Sequence, residues 1–226
     1  MTSHRIDAAL PDEVLQRPAA GRWLARWILI VTAGEAFGFA VPALVGVVAH
    51  DAPAFPVLLP LAGAVEGALL GWAQATVLAK RLPELRRGAW VALTALAAVV
   101  AYVAASFLTA AADSWLSWPW VARTALLLTI GAVILLSIGV AQWIELRRHL
   151  AHAGWWIVTT FVAWLLGLGL FFIVATPLWY EGQDILSAVA VGVGAGIVMA
   201  AAMATVTGVA MSSFLRATEE REEGSR

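Results

Sequence analysis

The chain has 226 residues, of which 62 % are hydrophobic before its 19 glycines are counted and only 13 % are charged, and its mean hydropathy is +0.85. Soluble domains reach roughly 45–50 % apolar content with glycine included, so too little polar surface exists here to cover a water-soluble globule. A net charge of −1 and the absence of cysteine further exclude a nucleic-acid binder, a disulfide scaffold and a thiolate metal site.

The composition therefore predicts an all-α integral membrane protein. Its partner is the lipid bilayer, with no nucleic acid and no cofactor. A short arm, residues 1–22, comes first. Crossing a hydrocarbon core of about 30 Å takes roughly 20 apolar residues in a helix, and six stretches qualify within 23–216: 27–49, 57–79, 90–112, 121–146, 155–176 and 185–215. The first apolar run is too long for the h-region of a signal peptide and reads as a retained helix. The connections are short and carry breakers, among them Pro53, Pro56, Pro119 and Gly182. Residues 217–226 are charged and lack an apolar face, so a disordered tail is expected there.

The basic residues set an orientation. With the N-terminus inside, every lysine and arginine except Arg123 lies on the inner side, from Arg5 through Lys80 and Arg81 to Arg147, Arg148 and Arg226. Short loops orient by this bias, so both termini are expected in the cytoplasm and the chain in the plasma (inner) membrane. Trp23, Trp27, Trp90, Trp143, Trp155 and Trp156 then mark the inner interface, and Trp115, Trp118, Trp120 and Trp179 the outer one. Trp72 and Trp164 lie deeper and are expected to pack between helices.

Pairing the spans shows self-similarity. Odd spans open on a tryptophan with a small residue eleven positions on: Trp27 with Gly38, Trp90 with Ala101, Trp156 with Gly167. Even spans share Gly-x-x-Gln before a basic end, as Gly71 with Gln74 and Gly139 with Gln142. The sixth lacks the glutamine and has Met203 near its place. Two spans per unit make successive copies parallel, and three such hairpins around a pseudo-threefold axis are expected; an ordinary up-and-down bundle also fits. The small-residue rows Gly34/Gly38, Gly63/Gly67/Gly71 and Gly192/Gly196/Ala200 suit close helix packing, which in lipid depends on backbone approach. They also leave a homo-oligomer or a membrane partner as a rival use.

Gly139, Gln142 and Trp143, then Leu146, Arg147 and Arg148, then Ala153, Gly154, Trp155 and Trp156 form a pattern. It resembles a loose group of uncharacterised bacterial multi-pass membrane proteins, over residues 57–176 above all. The resemblance implies a multi-pass fold and brings no activity with it.

Ionisable groups at membrane depth are costly and mark function by default. Glu35 and Glu66 are the two here. At about 1.5 Å per residue they come to nearly the same depth, and each is flanked by glycine. A carboxyl pair in low dielectric cannot ionise fully at small cost, so at least one is expected to keep its proton. A proton- or cation-binding pair on a translocation path is one reading, with Arg123 the nearest conceivable partner; protonated acids bridging helices is the other. Gln74 and Gln142 are candidates for interhelical hydrogen bonds or for solute contact. Glu145, His149 and His152, at i, i+4 and i+7, would align on a continuing helix and form a weak zinc candidate; a solvated face is the plainer reading.

No histidine lies at membrane depth, no phosphate-cradling glycine loop precedes a lysine, and no aspartate-rich metal motif is present. Three functions remain: a small proton-linked permease or transporter subunit, a structural or partner-binding subunit, and, less favoured, an enzyme using the acids on a lipid-like substrate.

Overall fold

The computed structural model describes the backbone of residues 12–224 and the side chains of residues 21–221. It is all-helical: α1 Asp12–Val48, α2 Phe55–Leu78, α3 Arg87–Ala110, the one-turn α4 Ala112–Trp115, α5 Trp120–Leu146, α6 Trp155–Ala175 and α7 Ile185–Gly224, with a 3-10 turn at Thr176–Leu178. Six of these, α4 excepted, are long and apolar enough to cross a membrane.

Local sequence explains the ends. Pro56 sits in the first turn of α2, where its missing N–H costs nothing. Pro119 is the residue before α5. The turn before α7 needs a left-handed backbone at Gly182 (φ 81°), a conformation glycine adopts without steric penalty. Asp184 then caps α7, its Oδ1 accepting the Ser187 N–H at 2.9 Å.

Two ends run further than hydropathy suggests. α1 begins at Asp12, inside the segment expected to be an arm. α7 continues to Gly224 through most of the tail expected to be disordered. The tail is rich in glutamate and arginine, good helix formers, and it is tied down: Arg81 meets Glu219 at 2.8 Å, and Arg221 lies 2.9 Å from the His152 ring. Residues 1–11, 225 and 226 fall outside the described residues.

The six long helices close into a ring in chain order. Each packs on its sequence neighbours, and α7 returns to α1. Side chains are distributed as an apolar solvent dictates. Leu29, Phe37, Leu96, Phe107 and Ile173 are exposed, whereas Glu35, Glu66, Gln74, Thr94, Gln142, Glu145, Thr160 and Thr207 are buried. Lipid tails solvate leucine as well as a core does, so the interior gathers the groups lipid cannot hydrogen-bond. Trp72 corrects an expectation: at 62 % exposure it faces outward rather than packing between helices. Trp164 is partly buried against the core.

The glycine rows serve the seams unequally. A Cβ at Gly38 would come within 3.1 Å of the Glu66 backbone, and one at Gly67 within 2.7 Å of the Thr94 carbonyl. Gly34 lies against Leu69 and Ala73, Gly63 against Tyr102, and Gly71 against Thr94 and Val91. Gly196 meets the Phe39 ring, but Gly192 has only Trp179 nearby, at 3.7 Å, and so joins no helix–helix seam.

Candidate functional site

The interior is layered along the ring axis. At the basic end three fully buried indoles each reach a polar side chain on the helix beside them. Trp90 Nε1 donates to Gln74 Oε1 at 3.2 Å, Trp156 Nε1 to Gln142 Oε1 at 2.9 Å, and Trp27 Nε1 to Thr207 Oγ1 at 3.2 Å. The layers are cross-linked, because Gln142 Nε2 donates to Gln74 Oε1 at 2.7 Å and to Thr94 Oγ1 at 3.0 Å. Leu78, Leu146 and Met211, each four residues after the polar member, are fully buried. This end of the ring is filled.

Sequence reasoning found the two glutamines and missed the rest of the layer. Thr207, not Met203, takes the glutamine's part on α7. Met203 is one turn away, where its backbone carbonyl accepts the Thr207 hydroxyl at 2.7 Å. Ala204-x-x-Thr207 repeats the small-x-x-polar spacing of Gly71-x-x-Gln74, and that signal was available. The indoles were assigned to the membrane interface, yet Trp27, Trp90 and Trp156 point inward.

Above this layer lies a small pocket of about 10 Å³ between Glu35, Gln74, Thr160 and Thr207, room for about one water molecule. Beyond it opens a larger cavity of about 160 Å³ to which all six long helices contribute: Glu35 and Phe39 from α1, Glu66 and Leu70 from α2, Ala98 and Tyr102 from α3, Ile134 and Ile138 from α5, Trp164 and Leu168 from α6, and Met199 from α7. Its space comes from small residues on one side, Gly67, Ala98, Ala101 and Ala105. It also comes from α5, whose buried residues all lie at Ile138 or later. The ring is tight at the basic end and loose at the other.

Glu35 and Glu66 face this one cavity, as their depth and glycine flanks predict. They differ in partners. Tyr102 donates its hydroxyl to Glu66 Oε2 at 2.6 Å. Glu35 is 1 % exposed, no N–H or hydroxyl reaches either of its carboxyl oxygens, and beside it lies the Glu66 carboxyl, with which it can share a proton. No lysine or arginine lines the cavity among the described residues. Arg123 is no counter-charge, since it does not line the cavity and its guanidinium reaches the Leu116 carbonyl instead. A bare carboxylate in such surroundings is costly, so Glu35 holds a proton or meets a cation.

The zinc candidate does not assemble. α5 ends at Leu146, before His149, so the i, i+4, i+7 alignment is lost and His152 turns to Arg221. Glu145 is engaged otherwise. Fully buried, it accepts from Arg86 Nη2 at 2.6 Å and from the Arg86 amide at 3.1 Å, with His149 at 3.4 Å. The pair fastens the α2–α3 connection to the end of α5. Among the described residues no group of three His, Cys, Asp or Glu side chains is placed to hold a metal ion.

The site thus consists of two neighbouring acids, one of them also paired with tyrosine, and an apolar wall drawn from the whole ring. No family model, no curated protein and no solved structure matches the chain.

Proposed function

We propose that the chain is a small proton-linked permease, built from three parallel copies of a helical hairpin, with its basic end and both termini in the cytoplasm. One observation carries the reading: Glu35 is buried in a cavity it shares with Glu66, with no N–H, hydroxyl or basic side chain on its carboxyl and only the second acid beside it. An acid so placed exchanges a proton for a positively charged solute, because only those two states spare it an uncompensated charge. The filled tryptophan layer blocks passage at the basic end while the opposite half is loose, which is one half of an alternating-access cycle.

The repeat is supported by register. Trp27, Trp90 and Trp156 stand at corresponding places on α1, α3 and α6, and their acceptors Thr207, Gln74 and Gln142 at corresponding places on α7, α2 and α5. The orientation rests on the basic-residue bias. A non-catalytic partner subunit finds less support, since the glycine rows are mostly used inside the ring. An enzyme acting on a lipid-like substrate has one observation in its favour, the largely apolar wall; it predicts a chemically altered product, which a permease does not release.

The test is proton uptake into proteoliposomes carrying a trapped pH dye, driven by an outward gradient of sodium, potassium or tetramethylammonium in turn. Wild-type protein is expected to exceed protein-free vesicles, and Glu35→Gln and Glu66→Gln each to lower the protein-dependent rate about a hundredfold or more, the low end for a lost proton-transfer group. Equal rates in wild type and both variants would end the reading.

A further inference from the structure

The geometry points to a small lipophilic ammonium ion as the occupant of the cavity, its charge held at Glu35 and Glu66 and its hydrocarbon among Phe39, Leu168 and Ile138. This deepens the permease reading and rests on it for the site. Three features carry it. First, the charge. The two acids are the only ionisable groups of the wall apart from Tyr102, whose hydroxyl is given to Glu66, so the cavity attracts cations and repels anions. Second, the wall. A hard metal ion needs about six or more oxygen ligands, and the side chains lining this cavity offer two carboxyls and one phenol. An ammonium ion bearing carbon needs fewer, and the wall includes Phe39, Tyr102 and Trp164, the side-chain type that stabilises such cations. Third, the size. The volume is about 160 Å³, and an apolar cavity of roughly 150 Å³ holds benzene. One aromatic ring or a short branched alkyl chain fills it.

In the exchange no covalent bond of the solute changes. The ammonium ion enters, Glu35 gives up one proton to water, and the carboxylate left behind faces the new cation. Release runs the same steps backward.

Benzylammonium is the probe, titrated calorimetrically into detergent-solubilised full-length protein in two buffers of different protonation enthalpy. Binding is expected with release of about one proton, as that exchange requires, and with no displacement by sodium. Toluene, the uncharged counterpart, is expected to bind at least tenfold more weakly. Glu35→Gln is expected to weaken benzylammonium at least tenfold. Ala101→Leu, on the cavity wall and away from the close glycine contacts, is expected to do the same while remaining monodisperse. Two outcomes overturn the inference: toluene binding as well as benzylammonium, or affinity undiminished in both variants. Failure of wild type to bind while acid-dependent proton uptake persists refutes the solute class and leaves the permease. Acid-dependent binding without acid-dependent proton uptake does the reverse.

Discussion

Gln142 makes three hydrogen bonds from one side chain, to Trp156, Gln74 and Thr94, in a place where no lipid group competes for them. Interhelical polar pairs in membranes average about 0.6 kcal/mol and reach about 1.7, because the unfolded chain also finds partners. Gln142→Leu removes three such bonds and orphans the Trp156 N–H, so a loss of about 1–3 kcal/mol is expected. Folded fraction against denaturing detergent measures it. A double-mutant cycle with Gln74→Leu should return a coupling of about 0.5–1.7 kcal/mol, since the two amides touch directly. Proton uptake should survive both changes if the layer is a scaffold, and its loss would move the glutamines into the solute path. The glutamines were legible because an amide stands out in an apolar run. The tryptophans were legible only as markers of depth, because hydropathy cannot tell whether an indole at a span end faces headgroups or a neighbouring helix. Thr207 was hidden by its commonness, and Met203 lies only one turn from the glutamine's place.

Helix seams divide the glycines into those that must stay glycine and those that need not. At Gly67 a methyl group would meet the Thr94 carbonyl and the Ala95 Cα, both within 3 Å. Backbone cannot move aside as a side-chain tip does, so Gly67→Ala is expected to part α2 from α3 at a cost of about 1–3 kcal/mol. Gly131→Ala in α5, with nothing within 4 Å, should be neutral or stabilise by up to about 1 kcal/mol through helix propensity. Thermal unfolding of the two variants side by side decides it, and equal midpoints would contradict the seam. At the head of α7 the Ser187 amide holds the Asp184 carboxyl below the usual aspartate range. A lowered value means that the cap contributes fully above the unfolded aspartate pKa, about 3.9, and is lost as pH falls through the folded one. Amide exchange in the first turn of α7, corrected for intrinsic rates, should therefore quicken between pH 6 and pH 3. Asp184→Ala should be fast at both. The spans themselves were readable from hydropathy, which fails at α1 and α7 because it reports where lipid ends; a helix ends where propensity and pairing do, as Arg81 with Glu219 illustrates.

At the scale of the molecule, ring closure brings α7 against α1 and creates the cavity, and no local pattern announces a contact between the first and last helices. Depth and glycine flanks suggested that Glu35 and Glu66 meet; that Glu66 alone also has a hydroxyl donor depends on Tyr102 arriving from α3. The orientation of the ring decides which compartment the loose half serves, and it can be checked directly because the chain has no cysteine of its own. Exposed positions are available at both ends: Asp51 and Ser117 at one, Glu84 and Ala151 at the other. Substituting these four leaves every basic residue in place, so the charge bias that orients the chain is undisturbed. A membrane-impermeant maleimide applied to intact cells should label Asp51→Cys and Ser117→Cys, and should reach Glu84→Cys and Ala151→Cys only after permeabilisation. Ala105→Cys, on the cavity wall at the loose half, should react from the same side as Ser117→Cys. Ala97→Cys, buried on α3 about two turns beyond Trp90, should react from neither. The mirror pattern at the four loop positions would place the tight tryptophan layer outside, and the cavity would then load from the cytoplasm.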